Sequence, residues 1–175
     1  MHAFNYHRPS SLADASGLAG KGADAKLLAG GQSLVQAMKL RLSAPSDLVD
    51  LNAIAELRGI KSDGRTVTVG AMARHAEVAA SAEVKKAIPA LAALAGLIGD
   101  RQVRNQGTIG GSLANNDPAA DYPAAVLGLG ATVVTNKRKI AADEFFKGMF
   151  ETALQPGEII TQVSFSVPKI GRAHV

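Results

Sequence analysis

The sequence predicts an α+β fold, a small βαβ lobe followed by a larger lobe with an antiparallel sheet and helices. Three observations carry that expectation. A strand, a glycine turn, a helix and a second strand run from Asp24 to Leu51. A hairpin signal centred on Asp63-Gly64 follows. Short strands over 131–141 and an alternating strand over 159–167 close the pattern, with helical stretches between them. A change of character after Ile54 divides the chain into lobes 1–55 and 56–168.

Composition narrows the chemistry. The 175 residues are 47% hydrophobic but only 4% aromatic, so the core relies on Leu, Ile and Val. The net charge is +4 and the pI is about 9.5. The densest basic run, Lys137-Arg138-Lys139, reads as a solvated turn. It has no interleaved aromatics, so no nucleic-acid partner is expected. There is no cysteine, which excludes disulfides, thiolate nucleophiles and iron–sulfur ligation on these residues. The histidines His2, His7, His75 and His174 show no ligand spacing and read as structural or surface residues. No apolar run is long enough to span a bilayer and no signal-peptide core is visible, so the cytoplasm is the expected location.

In chain order, Phe4 to Pro9 reads as a short extended arm. Ser10 or Ser11 caps a helix over Leu12 to Leu18, with Gly20 and Gly22 ending it. Asp24 to Ala29 reads as a strand. Gly30-Gly31-Gln32-Ser33 turns it into a helix with Leu34, Met38 and Leu42 on one face. Pro45 closes that helix, and Leu48 to Leu51 is the partner strand, parallel to the first. In the second lobe the Asp63-Gly64 dipeptide suits a two-residue hairpin turn. Helices follow over Arg74 to Ala79, Glu83 to Ala87 and from Pro89, the last with Leu91, Leu94, Ala95 and Ile98 as its apolar stripe and Gly99 as its C-cap. After the glycines at 107–111, Asp121 begins a helix through about Leu129. Ala131 to Thr135 and Arg138 to Ala141 are short strands, and Asp143 caps a helical turn. In the last strand Ile159, Val163, Phe165 and Val167 face one way. Gln162, Ser164 and Ser166 face the other, with Ile160 the odd apolar member of that polar face.

Two glycine stretches carry the candidate chemistry. Ala29 to Ser33 sits at a strand end and opens a helix, where backbone N–H groups favour an anion. It is neither a P-loop nor a G-x-G-x-x-G fingerprint, and a plain tight turn would give the same pattern. Thr108-Ile109-Gly110-Gly111-Ser112 brackets its glycines with hydroxyls that can donate to phosphate oxygens; the alternative is a crossover packed on a helix. Both loops gripping one diphosphate is the expectation. Asp121 can cap its helix and also accept from a ribose hydroxyl. Arg104 can neutralise a diphosphate or pair with Asp117 or Asp121. No nucleophile–base pair or metal cluster stands out, so any chemistry belongs to a bound cofactor.

These residues, with Lys39-Leu40-Arg41-Leu42, Gln102 to Asn105, Asp117 to Asp121, Phe145 to Gly148 and Leu154 to Ile160, recur in one family in this order. The chain resembles the FAD-binding medium subunit of molybdenum hydroxylases, of the aerobic carbon monoxide dehydrogenase and xanthine dehydrogenase type, from about Phe4 to Pro168. The resemblance implies a flavin fold of the vanillyl-alcohol-oxidase (PCMH) type, with FAD between the lobes. By motif match Ala29, Gly30, Gly31, Gln32 and Ser33, with Thr108, Ile109, Gly110, Gly111 and Ser112, would hold the diphosphate. Asp121 matches an acidic FAD contact and Ile160 an apolar residue beside the flavin. It also implies a small subunit with two [2Fe–2S] clusters and a large molybdopterin subunit, assembled as a dimer of heterotrimers. The flavin passes electrons to an external acceptor. Other readings are a stand-alone flavin oxidoreductase, a phosphate-binding module, and a structural subunit without flavin. Family members continue into a C-terminal domain. The match stops near Pro168, and residues 169–175 are unlike the family and fit one frame of a common sequencing adaptor. The expectation is a gene fragment with a non-native tail.

Overall fold

The computed structural model describes residues 1–22 and 24–168; the expected tail at 169–175 lies outside the described residues. The elements are β1 (Asn5–His7), α1 (Leu12–Lys21), β2 (Lys26–Leu28), α2 (Leu34–Lys39), β3 (Asp47–Asp50), β4 (Ile60–Ser62), β5 (Thr66–Gly70), α3 (His75–Ala80), α4 (Ala82–Ala87), α5 (Pro89–Leu97), α6 (Arg101–Arg104), α7 (Ile109–Asn115), α8 (Asp121–Gly128), β6 (Thr132–Thr135), β7 (Lys139–Ala141), α9 (Ala142–Phe145), β8 (Phe146–Gly148), β9 (Glu151–Thr152) and β10 (Ile160–Ser166).

The first sheet has the order β1-β3-β2 and is parallel throughout. The expected βαβ unit is present as β2-α2-β3. The N-terminal arm is more than an arm: its residues 5–7 form a third strand on the far side of β3. The second sheet, β4-β5-β10-β6-β7, is antiparallel. Its hairpin turn lies one residue later than the Asp63-Gly64 pattern suggests. Asp63 N donates to Thr66 O at 3.2 Å, so Gly64 and Arg65 form the centre, with Gly64 at φ 85°. Asp63 instead accepts from the N–H groups of Arg65 and Thr66, as turn aspartates do.

The helices follow the apolar spacing. Pro89 opens α5 at a position where no N–H is needed, and Leu91, Ala92 and Ala95 are buried. Gly99 sits just past the Ile98 cap at φ 51°. Two expected caps differ: α8 is capped by Ala120 with Asp121 as its first residue, and α9 by Ala141 with Asp143 inside the first turn.

The large core lies between the second sheet and its helices and includes Val67, Val69, Leu91, Ile109, Tyr122, Val133, Phe145, Val163 and Phe165. A smaller core joins Ala15, Val49, Leu51 and Ile54 of the first part of the chain to Leu57, Met72 and Ile159 of the second. The two lobes therefore share apolar burial. A polar contact adds to it: Ser16 Oγ donates to Gly157 O at 2.6 Å, and Asn136 Nδ2 donates to Ser16 Oγ at 2.9 Å.

A candidate dinucleotide site built from two glycine segments

The first segment, Ala29 to Ser33, leaves β2 and enters α2. Gly31 adopts φ 74°, a left-handed conformation that glycine takes without strain. Among the described residues the backbone N–H groups of Gly30, Gly31, Gln32 and Ser33 donate no hydrogen bond. Four consecutive unspent donors on half-exposed chain are a place for an anion. Their number matters more than the dipole of the short helix behind them.

The second segment is not the loop the glycines suggest. Thr108 caps α7, and Ile109 to Ser112 form its first turn. Its donors are spent internally. Ile109 N donates to Ala73 O at 3.1 Å, Gly110 N to Ala71 O at 2.9 Å, Gly111 N to Thr108 Oγ1 at 3.1 Å, and Ser112 N to Thr108 O at 3.0 Å. The glycines are there for close approach. A Cβ on Gly110 would lie 2.6 Å from Ala71 Cβ, and one on Gly107 would lie 2.5 Å from His75 Nε2. The segment contributes a wall and the Ser112 hydroxyl, unbonded among the described residues, rather than a second ring of N–H donors.

The two segments meet, main chain against main chain. A Cβ on Gly30 would overlap the Gln106 carbonyl and lie 2.8 Å from Gly107 Cα. A Cβ on Gly111 would lie 3.4 Å from Ala29 Cβ. The Asp121 side chain is exposed and makes no hydrogen bond among the described residues. Burial holds the neighbouring His75 at about 4, while the Asp121 charge pulls the other way. That places the carboxylate within Coulomb range of the ring beside Gly107.

One expectation fails here, and one of the two roles open to Arg104 is not taken up. Ile160 is not on a polar face. Thr161 is an extra residue in β10, so Ile160 pairs with Thr135 and Gln162 with Val134. The bulge turns Ile160 to the Val163 and Phe165 side, where it is 5% exposed in the large core. Its neighbour Thr161 accepts from Ala71 N at 2.9 Å, and Ala71 in turn accepts from Gly110, so Ile160 remains close to the second segment. Arg104 pairs with neither Asp117 nor Asp121. It donates to Ile98 O at 3.0 Å and Gly99 O at 3.1 Å, satisfying the end of α5.

Sequence reasoning missed the support beneath the first segment. Asp50 is 6% exposed at the end of β3. Its Oδ1 accepts from Asn52 N at 2.9 Å and Asn52 Nδ2 at 2.7 Å, and its Oδ2 accepts from the Tyr6 hydroxyl. Burial pushes its carboxyl up, but these bonds outweigh that and hold it below the usual range. A carboxylate inside the apolar run Leu48 to Leu51 was the available signal. His75 and Tyr122, both buried with ring centroids 5.2 Å apart, carried no such signal.

A parallel βαβ lobe with unspent N–H donors thus packs against a glycine-walled second lobe, an arrangement suited to an anionic ligand. The chain belongs to the family described as the FAD binding domain in molybdopterin dehydrogenase, whose model matches residues 2–169. It is 44% identical over 165 residues to the carbon monoxide dehydrogenase medium chain of Hydrogenophaga pseudoflava, covering 91% of this chain and 58% of that one. It is 38% identical over 168 residues to the glyceraldehyde dehydrogenase medium chain of Sulfolobus acidocaldarius, covering 94% and 60%. Its fold superposes with a TM-score of 0.93 on a Cu,Mo-CO dehydrogenase in its cyanide-inactivated form, at 41% identity over 97% of this chain and 61% of that chain. The chain thus spans about three-fifths of the length of the relatives it matches.

Proposed function

We propose that this chain is the FAD-binding part of a molybdenum hydroxylase flavin subunit. It receives electrons from the [2Fe–2S] clusters of an iron–sulfur partner and passes them through FAD to an external acceptor. The observation that carries the reading is the run of unspent N–H donors from Gly30 to Ser33, seated against Gln106 and Gly107. A diphosphate is the dinucleotide part that needs several convergent donors.

Ala29 to Ser33 would bind that diphosphate, and Thr108 to Ser112 would wall it and offer the Ser112 hydroxyl. Asp121 would accept from a sugar hydroxyl, and Ile160 would lie under the flavin side of the wall. FAD, when bound, supplies the electron-accepting chemistry. The residues here bind, orient and exclude water. The 175 residues hold no cysteine and so ligate no iron–sulfur cluster; in this reading the clusters sit on a small partner subunit and the molybdenum cofactor on a large one. Two relatives that share this domain are named for carbon monoxide and glyceraldehyde. Substrate choice therefore belongs to another subunit. The assembled form is a dimer of heterotrimers in the cytoplasm; among the described residues no helix is long and apolar enough to cross a membrane.

The test is co-expression of the full-length gene with its neighbouring subunit genes. The purified complex should show the visible absorption of flavin and contain iron, molybdenum and three kinds of subunit. A flavin-free complex would sink the reading.

A further inference from the structure

We propose that Asn52 is a positioning residue for the cofactor loop: it fixes the Ala29 carbonyl and so aims the Gly30 N–H at the diphosphate. The proposal rests on the FAD reading above and adds residues to which that reading gives no role.

The argument starts from the peptide plane. In a trans peptide the carbonyl of one residue and the N–H of the next point in opposite directions. Asn52 Nδ2 donates to Ala29 O at 3.1 Å. The carbonyl is thereby turned into the lobe, and the Gly30 N–H of the same peptide is turned out of it. Gly30 is the first of the four unspent donors, so the direction of this one plane sets where the run begins.

Asn52 is itself held on three sides. Its amide NH2 also donates to Asp50 Oδ1 at 2.7 Å. Its Oδ1 accepts from Arg58 Nη2 at 3.2 Å, and its backbone O accepts from the same nitrogen at 3.0 Å. These partners fix the orientation of the amide. Flipped, its oxygen would face two acceptors and its NH2 would face a guanidinium. Asp50 is anchored in turn by the Tyr6 hydroxyl from β1. A chain of hydrogen bonds therefore runs from Tyr6 through Asp50 and Asn52 to Ala29. It gives the third strand of the small sheet a purpose beyond packing.

The test uses the full-length chain assembled with its partner subunits, carrying Asn52→Ala or Tyr6→Phe. Asn52→Ala should raise the FAD dissociation constant about tenfold, the weight of one hydrogen bond. It should also shift the 31P resonances of the bound diphosphate while the flavin visible band keeps its shape. Tyr6→Phe keeps a half-exposed ring and loses only the hydroxyl. It should weaken FAD about threefold and move the same 31P signals in the same direction. If Asn52→Ala fails to fold, Tyr6→Phe decides alone. Variants that lose thermal stability but keep wild-type FAD affinity and 31P shifts would overturn the positioning role and leave the FAD reading intact. A wild-type complex that binds no FAD would overturn both.

Discussion

His75 occupies a position that disfavours a charge. It is 5% exposed, its Nδ1 has no hydrogen-bond partner among the described residues, and the Tyr122 ring lies against it. Burial lowers its pKa from 6.5 to about 4, with Asp121 opposing. The unfolded chain therefore binds the proton first. Stability should be complete above pH 6.5 and fall as pH drops through about 4, by up to about 3 kcal/mol for this group. Glu158 continues the loss at lower pH. Burial alone would raise its pKa, but bonds from Arg138 Nε, Gln155 N and the Thr135 hydroxyl hold it at about 2. Its contribution is present above about 4.5 and disappears as pH falls towards 2. Urea unfolding at a series of pH values checks both. In His75→Leu the slope between pH 6.5 and 4 should flatten, and the slope below 4.5 should remain.

At the scale of elements, the start of α7 is a tight joint. Gly110→Ala would drive a methyl to 2.6 Å from the Ala71 Cβ, 2.8 Å from its backbone O and 3.0 Å from its Cα. Overpacking against backbone costs about 1–3 kcal/mol or more. Thermal unfolding should show the loss even without FAD. Thr108→Val removes the oxygen that accepts from Gly111 N and should cost about 1 kcal/mol, with Thr108→Ser restoring it. The same joint shows where sequence reading stopped. The βαβ lobe, the hairpin and the proline-started helix were legible because turn residues and apolar periods are local signals. The helical start at Ile109 was not. Glycine pairs read as loops, and here the Thr108 cap acts together with the distant Ala71 and Ala73 carbonyls to set the helix start. The bulge at Thr161 left a single trace, the apolar Ile160 out of step with the alternation, and its partner gave no local sign: the Thr161 hydroxyl donates to Val134 O at 3.1 Å. The meeting of Gly30 with Gln106 is a long-range contact, and the two motifs gave no sign of which would carry the free donors.

For the whole molecule, the shared small core decides how separable the lobes are. Met72 and Ile159 complete the packing of Ala15, Val49, Leu51 and Ile54. An isolated 1–55 segment should therefore stay unfolded by circular dichroism, whereas 1–168 should show cooperative unfolding. FAD contacts on both lobes would couple ligand binding to that shared interface. At a hundredfold excess over its dissociation constant, FAD should add about 2.7 kcal/mol. For a chain of this size that is a rise in melting temperature of about 5–10 °C, readable by calorimetry.

The donors at Gly30 to Ser33 belong to the main chain. No substitution except proline can delete them; a change of side chain can only misdirect them. Flavin-free variants of this lobe should therefore map to residues that steer the backbone, such as Gly30 and Gly31, and rarely to the side chains that ring the cofactor. A mutational screen for lost yellow colour would trace the scaffold's geometry rather than a set of contacts.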